Sequence, residues 1–356
     1  MCNFILFGAS GDISKKKVFP GLYEWYKDDC KSIKMVIGYG RKSLTKKDFH
    51  KIIDIDDADF LKHFDYQIGK YNLCNGFRNL KNKIVDCGVS KGERILLYFG
   101  VPSYIAPDII KNIVLTNIEK DYDCRYILEK PIGNNLDSCI VILDSIYDMI
   151  ETNKVYILDH YLGKSGIRDM IDITSNKINI TDIKIYLNEI ESVEHRIEYF
   201  DKVGLFKDMV QSHVITILMY CFPKLFSSNL SLSSNNDLVN IIVKKHIIGQ
   251  YKGYSGNKNV DTYLKLHIEW NNVNLIIEAG KCMGYNKKEI HYMGDTNSIV
   301  KINSEYSEYK CLFQDILNNN NEKFLSSDCI KYFWELSEHI LKQGRDNIIY
   351  YDSHTI

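Results

Sequence analysis

The first half of the chain alternates short apolar runs with segments in which apolar residues recur at helical spacing. The apolar runs cover residues 3–7, 35–38, 94–101 and 124–128. Each run is too short for a stable helix and is followed by glycine, proline or charged residues, which is typical of buried parallel strands. The alternation continues to about Asn153 and predicts one doubly wound α/β domain.

The second half has a different pattern. Residues 183–187, 263–270 and 273–278 read as antiparallel strands, and Asn271-Asn272 forms a predicted hairpin turn between the last two. We therefore expect an N-terminal Rossmann-type domain over residues 1–155 and a C-terminal α+β domain with a mainly antiparallel sheet over residues 156–356. A polar loop is predicted at residues 227–236.

A glycine-containing turn follows the first apolar run. Gly8, Ser10 and Gly11 lie between that run and a helical segment that carries Val18 and Leu22. A helix N-terminus presents free N–H groups and a positive dipole end, which is where a dinucleotide pyrophosphate binds. The G-x-x-G pattern also occurs in plain turns, so it is the strand before it and the helix after it that favour a dinucleotide site.

Two basic residues follow the second apolar run. An NAD site usually carries an acidic residue at the tip of this strand, whereas an arginine nearby accommodates the 2′-phosphate of NADP. Arg41 and Lys42 stand here, and no acidic residue lies between the strand and these two cations. This arrangement favours NADP. The alternative is that both merely lie on a solvated loop.

Composition and charge narrow the classes of partner. The chain has 45 Lys and Arg against 46 Asp and Glu, a net charge of -1, so the basic excess of a general nucleic-acid-binding protein is absent. The 10 cysteines lack metal-site spacing, and we expect neither a metal nor disulfides. No apolar run approaches the roughly 20 residues that cross a bilayer. We expect a cytoplasmic protein that contacts neither nucleic acid nor membrane.

A cluster of polar residues follows a further strand-like run. Asp159, His160, Tyr161 and Lys164 lie within six residues at a predicted strand-to-helix junction. They offer donors for a phosphate group and a carboxylate that can orient a histidine. The alternative is a hydrogen-bonded corner that only ties two domains together.

Several motifs resemble one family in the same order along the chain. The chain contains GASGDISKKKVFPGLY, GYGRKSLT, EKPIG, ILDHYLGK and NEIESVEHRIEYFDKVGLFKDMVQSHVI. They resemble GASGDLAKKKIYPxLxxL, GYAR, EKPFG, RIDHYLGK and KEPxGxEGRGxYFDxxGxxRDxxQNHLxQ of the glucose-6-phosphate 1-dehydrogenase family. The segments IIEAGKCMGYNKK and YKCLFQDILNNNNEKFLSSDCIKYFWELSEHIL resemble later stretches of that family.

The resemblance implies oxidation of D-glucose 6-phosphate to 6-phospho-D-glucono-1,5-lactone with hydride transfer to NADP⁺, the first step of the oxidative pentose phosphate pathway. His213 matches the catalytic base and Asp159 the carboxylate that pairs with it. A histidine with a pKa near neutral suits this role because a carboxylate can orient its other nitrogen. Family members form homodimers through their second-domain sheets, so we expect a homodimer.

The resemblance also assigns binding residues. The substrate-binding positions are His160, Tyr161, Lys164, Glu189, Asp208, Lys281, Lys287 and Lys130. The cofactor-binding positions are Gly8, Ser10, Gly11, Asp12, Arg41, Pro102, Glu129 and again Lys130. Purely structural roles stay open for three of the assigned residues. His213 could be a core histidine, Lys281 a surface lysine, and Asp208 a charge at a helix start.

The chain departs from the family pattern in places. Asn286 stands where the family has arginine, and Ser165 replaces an acidic residue. Asn188 and Ile190 flank Glu189 where the family has lysine and proline. The region between residues 288 and 310 is shorter than in the family, and no second, structural NADP site is expected.

Two other interpretations remain open. One is another NAD(P)-dependent sugar or inositol dehydrogenase that uses an EKP motif, although DHYLGK has no place in those enzymes. The other is a degenerate NADP-binding protein without turnover, which the joint presence of Asp159, His213 and the substrate positions disfavours.

Overall fold

The computed structural model describes residues 2–174, 179–225, 240–344 and 346–352, so the polar loop predicted at residues 227–236 lies outside the described residues. The chain divides into two compact units. The first comprises Met1–Gly163 and Tyr306–Ser327, and the second comprises Lys164–Glu305 and Asp328–Ile356. Among the described residues, no helix combines the length and the apolar character that crossing a membrane requires.

The first unit is built on a parallel sheet. Its strands are β1 (Cys2–Phe7), β2 (Ile33–Gly40), β3 (Phe64–Ile68), β4 (Arg94–Phe99), β5 (Asp123–Glu129) and β6 (Val155–Leu158). The strands lie in the order β3-β2-β1-β4-β5-β6, and every neighbouring pair is parallel. This is the strand order of a dinucleotide-binding domain, in which the order reverses between β1 and β4. The predicted doubly wound domain is confirmed.

Helices connect these strands. They are Phe19–Asp28, Lys46–Ile53, Ala58–Leu61, Cys74–Asp86, Ala106–Leu115, Ile118–Asp121 and Leu136–Tyr147. The first of them continues a π-helical turn at Ser14–Val18 and packs its apolar side against β1, where Phe4 lies 6.2 Å from Trp25 between ring centroids. Full burial of such side chains contributes about 1.5–3 kcal/mol each, so this packing is what holds the helix on the sheet.

A helix from late in the sequence completes the first unit. The helix Glu308–Leu317 carries Tyr309, Leu312, Phe313 and Ile316 at helical spacing, and all four are buried in the same apolar core as β1. Leu325 then donates its N–H to the carbonyl of Ile157 in β6. Residues 306–327 thus fold with the first unit rather than with the C-terminal domain in which we expected them, because their apolar face is buried there.

The second unit is built on a mixed sheet. Its strands are β7 (Ile180–Asn188), β8 (Ile241–Tyr251), β9 (Tyr263–Trp270), β10 (Val273–Gly280), β11 (Lys287–Gly294), β12 (Ser298–Lys301) and β13 (Ile349–Tyr351). They lie in the order β12-β11-β7-β10-β9-β8-β13. Its helical segments are Ser165–Thr174, Ile197–Leu205, the π-helical Phe206–Val214, Ile215–Cys221 and Ser327–Lys342. The sheet is mainly antiparallel, as predicted.

One predicted pairing is wrong. We expected residues 183–187 and 273–278 to be antiparallel, but β7 and β10 run parallel, and so do β8 and β13. Strands β7 and β10 are separated by helices and two further strands, so no tight turn fixes their relative direction. The β9–β10 hairpin is antiparallel as predicted, and both Asn271 and Asn272 adopt the left-handed conformation that its two-residue turn requires.

The close approach of helix Glu308–Leu317 to Gly163 provides a test of this fold. A Cβ atom at Gly163 would lie 2.5 Å from the carbonyl oxygen of Glu308. We expect Gly163→Ala to lower the free energy of unfolding by about 2 kcal/mol or more, because backbone must shift to accept the methyl group. Denaturant unfolding measures this effect. The control Val141→Ala removes a side chain that is 65% exposed and should change stability by less than about 0.5 kcal/mol. Equal effects of the two substitutions would contradict the close approach.

Candidate functional site

The glycine turn lies at the carboxyl end of β1, beside β4. Gly8 has a positive φ of 80°, and a Cβ atom there would lie 2.2 Å from the carbonyl oxygen of Gly100. The N–H of Gly11 donates to the carbonyl of Gly8 at 2.8 Å, which closes the turn just before the helical segment begins. Ser10 is half-buried, and the exposed Asp12 pairs with Lys16 at 3.2 Å. The turn therefore has the tight backbone and adjoining helix start that a pyrophosphate site needs.

Arg41 is exposed just after β2, where the sequence predicted a 2′-phosphate contact. Its guanidinium carbon lies 5.9 Å from the centroid of the Tyr71 ring, within the range of a cation–π contact. Burial raises the pKa of the Tyr71 hydroxyl, against the opposing effects of the Gly8 backbone and of Arg41. Tyr71 is thus close to both predicted cofactor contacts. No sequence motif marked Tyr71, because it lies in a loop after β3.

Glu129 is the last residue of β5, and Pro102 follows the carboxyl end of the neighbouring strand β4. Pro102 is exposed, whereas the Glu129 carboxylate accepts hydrogen bonds from the hydroxyls of Tyr98 and Tyr309, each at 2.9 Å. Burial raises the pKa of Glu129 to about 7, although both hydroxyls act to lower it. The carboxyl group therefore faces the interior of the first unit. Tyr309 is a partner that the motif match did not reveal.

Lys130 and Asp159 form a buried ion pair. The Lys130 Nζ lies 2.9 Å from the Asp159 Oδ2, and the two side chains are 5% and 0% exposed. The other Asp159 oxygen accepts the N–H of Tyr161 at 3.0 Å, and the Tyr161 ring lies 4.9 Å from the His160 ring. Removing either partner of such a pair leaves an uncompensated buried charge. The structure thus groups four predicted residues at the end of β5 and after β6.

In the second unit, Lys281 brings together three predicted substrate residues. Its Nζ lies 2.6 Å from Glu189 and 3.2 Å from Asp208, and its side chain is 3% exposed. Lys281 is therefore not a surface lysine. A buried ammonium group requires such partners, because desolvation of an unpaired charge is costly.

Two further cations complete this group. Arg196 donates to both oxygens of Asp208, at 3.2 Å each, and the Lys288 Nζ lies 2.7 Å from Glu189. We name these five residues (Lys281, Glu189, Asp208, Arg196 and Lys288) the Lys281 cluster. Burial opposes ionisation of Glu189, but the two lysines outweigh it and lower its pKa to about 2. Arg196 was visible within a matched motif, yet the motif assigned it no role.

Lys287 is a predicted substrate residue that lies next to Lys288 in sequence but does not belong to this cluster. Side chains alternate along β11, so Lys287 and Lys288 point to opposite faces of the sheet. The Lys287 Nζ lies 3.4 Å from the centroid of the Tyr186 ring, and Lys288 takes the place beside Glu189. Asn286 accepts the N–H of Ile190 at 3.0 Å, so it has a structural contact of its own.

His213 and Lys164 also belong to the second unit. His213 is half-buried in the π-helical segment Phe206–Val214, which also carries Asp208. Asp208 lies in the first turn of that segment, after a break at Gly204, so its interpretation as a charge near a helix start is compatible with its place in the Lys281 cluster. Lys164 is half-buried directly before helix Ser165–Thr174.

The two units define the class of the protein: a Rossmann-type dinucleotide-binding domain joined to an α+β domain, as in two-domain dehydrogenases. The model "Glucose-6-phosphate dehydrogenase, NAD binding domain" matches residues 5–169, and "Glucose-6-phosphate dehydrogenase, C-terminal domain" matches residues 169–299. The chain belongs to the glucose-6-phosphate dehydrogenase family.

Curated relatives agree with this assignment. The chain is 27% identical over 361 residues to glucose-6-phosphate 1-dehydrogenase of Borreliella burgdorferi, covering 86% of this chain and 74% of that protein. It is 27% identical over 335 residues to the cytoplasmic isoform of Solanum tuberosum, covering 81% of this chain and 66% of that protein. The chain thus spans about two thirds to three quarters of the length of these relatives.

A solved structure shares the fold. Its title is "Glucose-6-phosphate dehydrogenase in complex with its substrate glucose-6-phosphate", and it matches with a TM-score of 0.83 at 21% identity. The match covers 100% of this chain and 95% of the other.

The Glu129 environment predicts a pH dependence of stability. The pKa of Glu129 is about 7 in the folded protein and near its ordinary value of 4.5 in the unfolded chain. The folded state therefore binds more protons between these values, so the contribution of Glu129 to stability falls as pH rises from about 4.5 to 7. We expect the stability of the wild type relative to Glu129→Gln to fall by about 3 kcal/mol over this window.

Denaturant unfolding at both pH values measures this difference. Glu322→Gln, which changes an exposed carboxylate, is the control and should alter stability equally at the two pH values. A difference between wild type and Glu129→Gln that does not vary with pH would contradict the buried state of this carboxyl group.

Proposed function

We propose that this protein oxidises D-glucose 6-phosphate to 6-phospho-D-glucono-1,5-lactone with NADP⁺ as hydride acceptor. The observation that carries the proposal is the Lys281 cluster, in which predicted sugar-binding carboxylates surround a buried lysine. The family match and the DHYLGK signature support it. We further propose that the protein works in the cytoplasm, as the name of the Solanum tuberosum relative states for that isoform.

The first unit fits the cofactor. The Gly100 carbonyl leaves no room for a Cβ atom at Gly8, which fits the glycine that a dinucleotide-binding motif uses for its tight first turn. Arg41 supplies a cation for the 2′-phosphate, and we propose that Tyr71 supports it. Gly8, Ser10, Gly11 and Asp12 would hold the pyrophosphate, whereas Pro102, Glu129 and Lys130 would lie towards the nicotinamide. When bound, the oxidised nicotinamide supplies the hydride acceptor.

The second unit fits a sugar. An ionised carboxylate accepts hydrogen bonds and donates none, so Glu189 and Asp208 suit the hydroxyl groups of glucose. The low pKa of Glu189 keeps it ionised at neutral pH. In our proposal His160, Tyr161 and Lys164 hold the phosphate group. Lys281 orients the two carboxylates, and Lys130 presents its positive charge to the substrate.

The proposed chemistry needs one base. The C1 hydroxyl of the sugar loses its proton as C1 loses a hydride, so that C1 becomes the carbonyl carbon of the lactone. We propose that the imidazole of His213 accepts this proton and that Asp159 orients the ring and stabilises its charged form. Both assignments rest on motif matches. Any contribution of Lys287 would come from outside the Lys281 cluster.

Substitution of the proposed base tests the mechanism. We expect His213→Asn to lower kcat by roughly 10²-fold or more, because general-base catalysis is lost. The assay follows NADP reduction at 340 nm with glucose 6-phosphate, and with glucose and NAD as alternative substrates. His195→Asn changes an exposed histidine of the same unit and should keep wild-type activity. Undiminished activity in His213→Asn would overturn the assignment of the base.

Substitution of Arg41 tests the cofactor preference. We expect Arg41→Ala to raise KM for NADP roughly tenfold or more and to leave KM for NAD nearly unchanged, because only NADP carries the 2′-phosphate. Lys42→Ala removes the neighbouring exposed cation and should have a smaller effect. Equal changes in the two KM values would show that Arg41 does not bind the 2′-phosphate.

The same assay separates the rival functions. A protein that binds NADP without turnover would give no reduction with any sugar. A different sugar dehydrogenase would act on an unphosphorylated sugar in preference to glucose 6-phosphate.

We also propose a homodimer that pairs the second-unit sheets. One face of this sheet carries charged side chains from both β9 and β11, and apolar groups such as Ile299 and Met293 are exposed near its β11–β12 edge. Such exposed apolar groups are typical of interaction surfaces.

A further inference from the structure

The backbone around Lys281 is held as tightly as its side chain. The Lys281 N–H donates to the carbonyl of Thr262 at 2.8 Å, and the Lys281 carbonyl accepts the hydroxyl of Tyr351 at 2.7 Å. The position of the buried ammonium group therefore depends on residues outside the Lys281 cluster.

The turn after Lys281 has an unfavourable conformation. Cys282 has a positive φ of 54°, which lies in a backbone region that residues other than glycine rarely adopt. The Cys282 N–H donates to the carbonyl of Glu191, and the Met283 N–H donates to the carbonyl of Glu189. Such strained residues persist only where the surroundings fix them, and they occur preferentially at functional sites.

Tyr351 supplies the constraint from the opposite side. It lies in β13, near the end of the described chain, and is 3% exposed. Its hydroxyl also lies 2.9 Å from the Thr262 Oγ1, so Thr262 and Lys281 are linked through one phenol group. The preceding Tyr350 is 58% exposed on the same strand. The two tyrosines are adjacent in sequence but differ completely in environment.

We propose that Tyr351 is a positioning residue for Lys281, and that its side chain, at the end of the short strand β13, thereby supports the substrate-binding apparatus of the second unit. The hydroxyl fixes the carbonyl of Lys281, and the strained turn then directs the ammonium group between Glu189 and Asp208. Without the hydroxyl, the turn relaxes and the two carboxylates lose their common partner. The link to substrate rests on the proposed function.

The kinetic test compares Tyr351→Phe with Tyr350→Phe in the whole chain. We expect Tyr351→Phe to raise KM for glucose 6-phosphate roughly fivefold or more and to change KM for NADP by less than about twofold, because Lys281 lies among the sugar-binding positions. Tyr350→Phe should match the wild type. An unchanged KM for the sugar, or an equal rise in both KM values, would overturn the proposal.

A second measurement does not depend on activity. Acylation of Lys281 by an N-hydroxysuccinimide ester, followed by peptide mass spectrometry, reports how firmly the amine is held. We expect acylation several-fold faster than in the wild type for Tyr351→Phe and unchanged for Tyr350→Phe. If Tyr351→Phe does not fold, Thr262→Ala removes another partner of the same hydroxyl and should show the same direction. An unchanged rate would overturn the positioning role. Faster acylation in a protein that does not oxidise glucose 6-phosphate would support positioning and refute the proposed function.

Discussion

The second unit depends on the cost of burying the positive charge of Lys281. An ammonium group at 3% exposure is tolerated only with ionised partners at close range, and Glu189 and Asp208 provide them at 2.6 and 3.2 Å. Those carboxylates are themselves partly buried, which explains why Arg196 and Lys288 lie beside them. One buried charge thus fixes β10, the start of β11, the loop after β7 and the segment Phe206–Val214 in a single arrangement.

The first unit meets the same constraint with other groups. Lys130 and Asp159 compensate each other, whereas Glu129 shares its carboxylate with the hydroxyls of Tyr98 and Tyr309. Tyr309 belongs to a helix that lies 180 positions after Glu129 along the chain. The late helix therefore does more than cover the apolar core, because it supplies a polar partner at the carboxyl end of β5.

Local pattern predicted the local structure well. The parallel strands, the Asn271-Asn272 hairpin and the glycine turn all follow from runs of neighbouring residues. What the sequence could not predict depends on distant contacts. The direction of β7 against β10 is set across many residues, and the helix Glu308–Leu317 shows only an amphipathic pattern that several surfaces could satisfy. A shift of one residue decides whether Lys287 or Lys288 faces Glu189, because strand alternation reverses the direction of the side chain.

The place of Lys288 changes how the departure at Asn286 is understood. Arginine is usual at this position in the family, so asparagine by itself would reduce the positive charge around the substrate. The Lys281 cluster nevertheless contains three cations and two carboxylates, a net charge of one positive unit. Each carboxylate oxygen offers about two lone-pair sites, so Glu189 and Asp208 retain acceptor capacity for neutral hydroxyl groups while they bind their cations. A sugar that carries a phosphate would gain from the residual positive charge, whereas a ligand carboxylate placed against Glu189 or Asp208 would be repelled. In the function proposed above, the cluster would therefore favour an anionic sugar phosphate that presents its hydroxyl groups to these carboxylates.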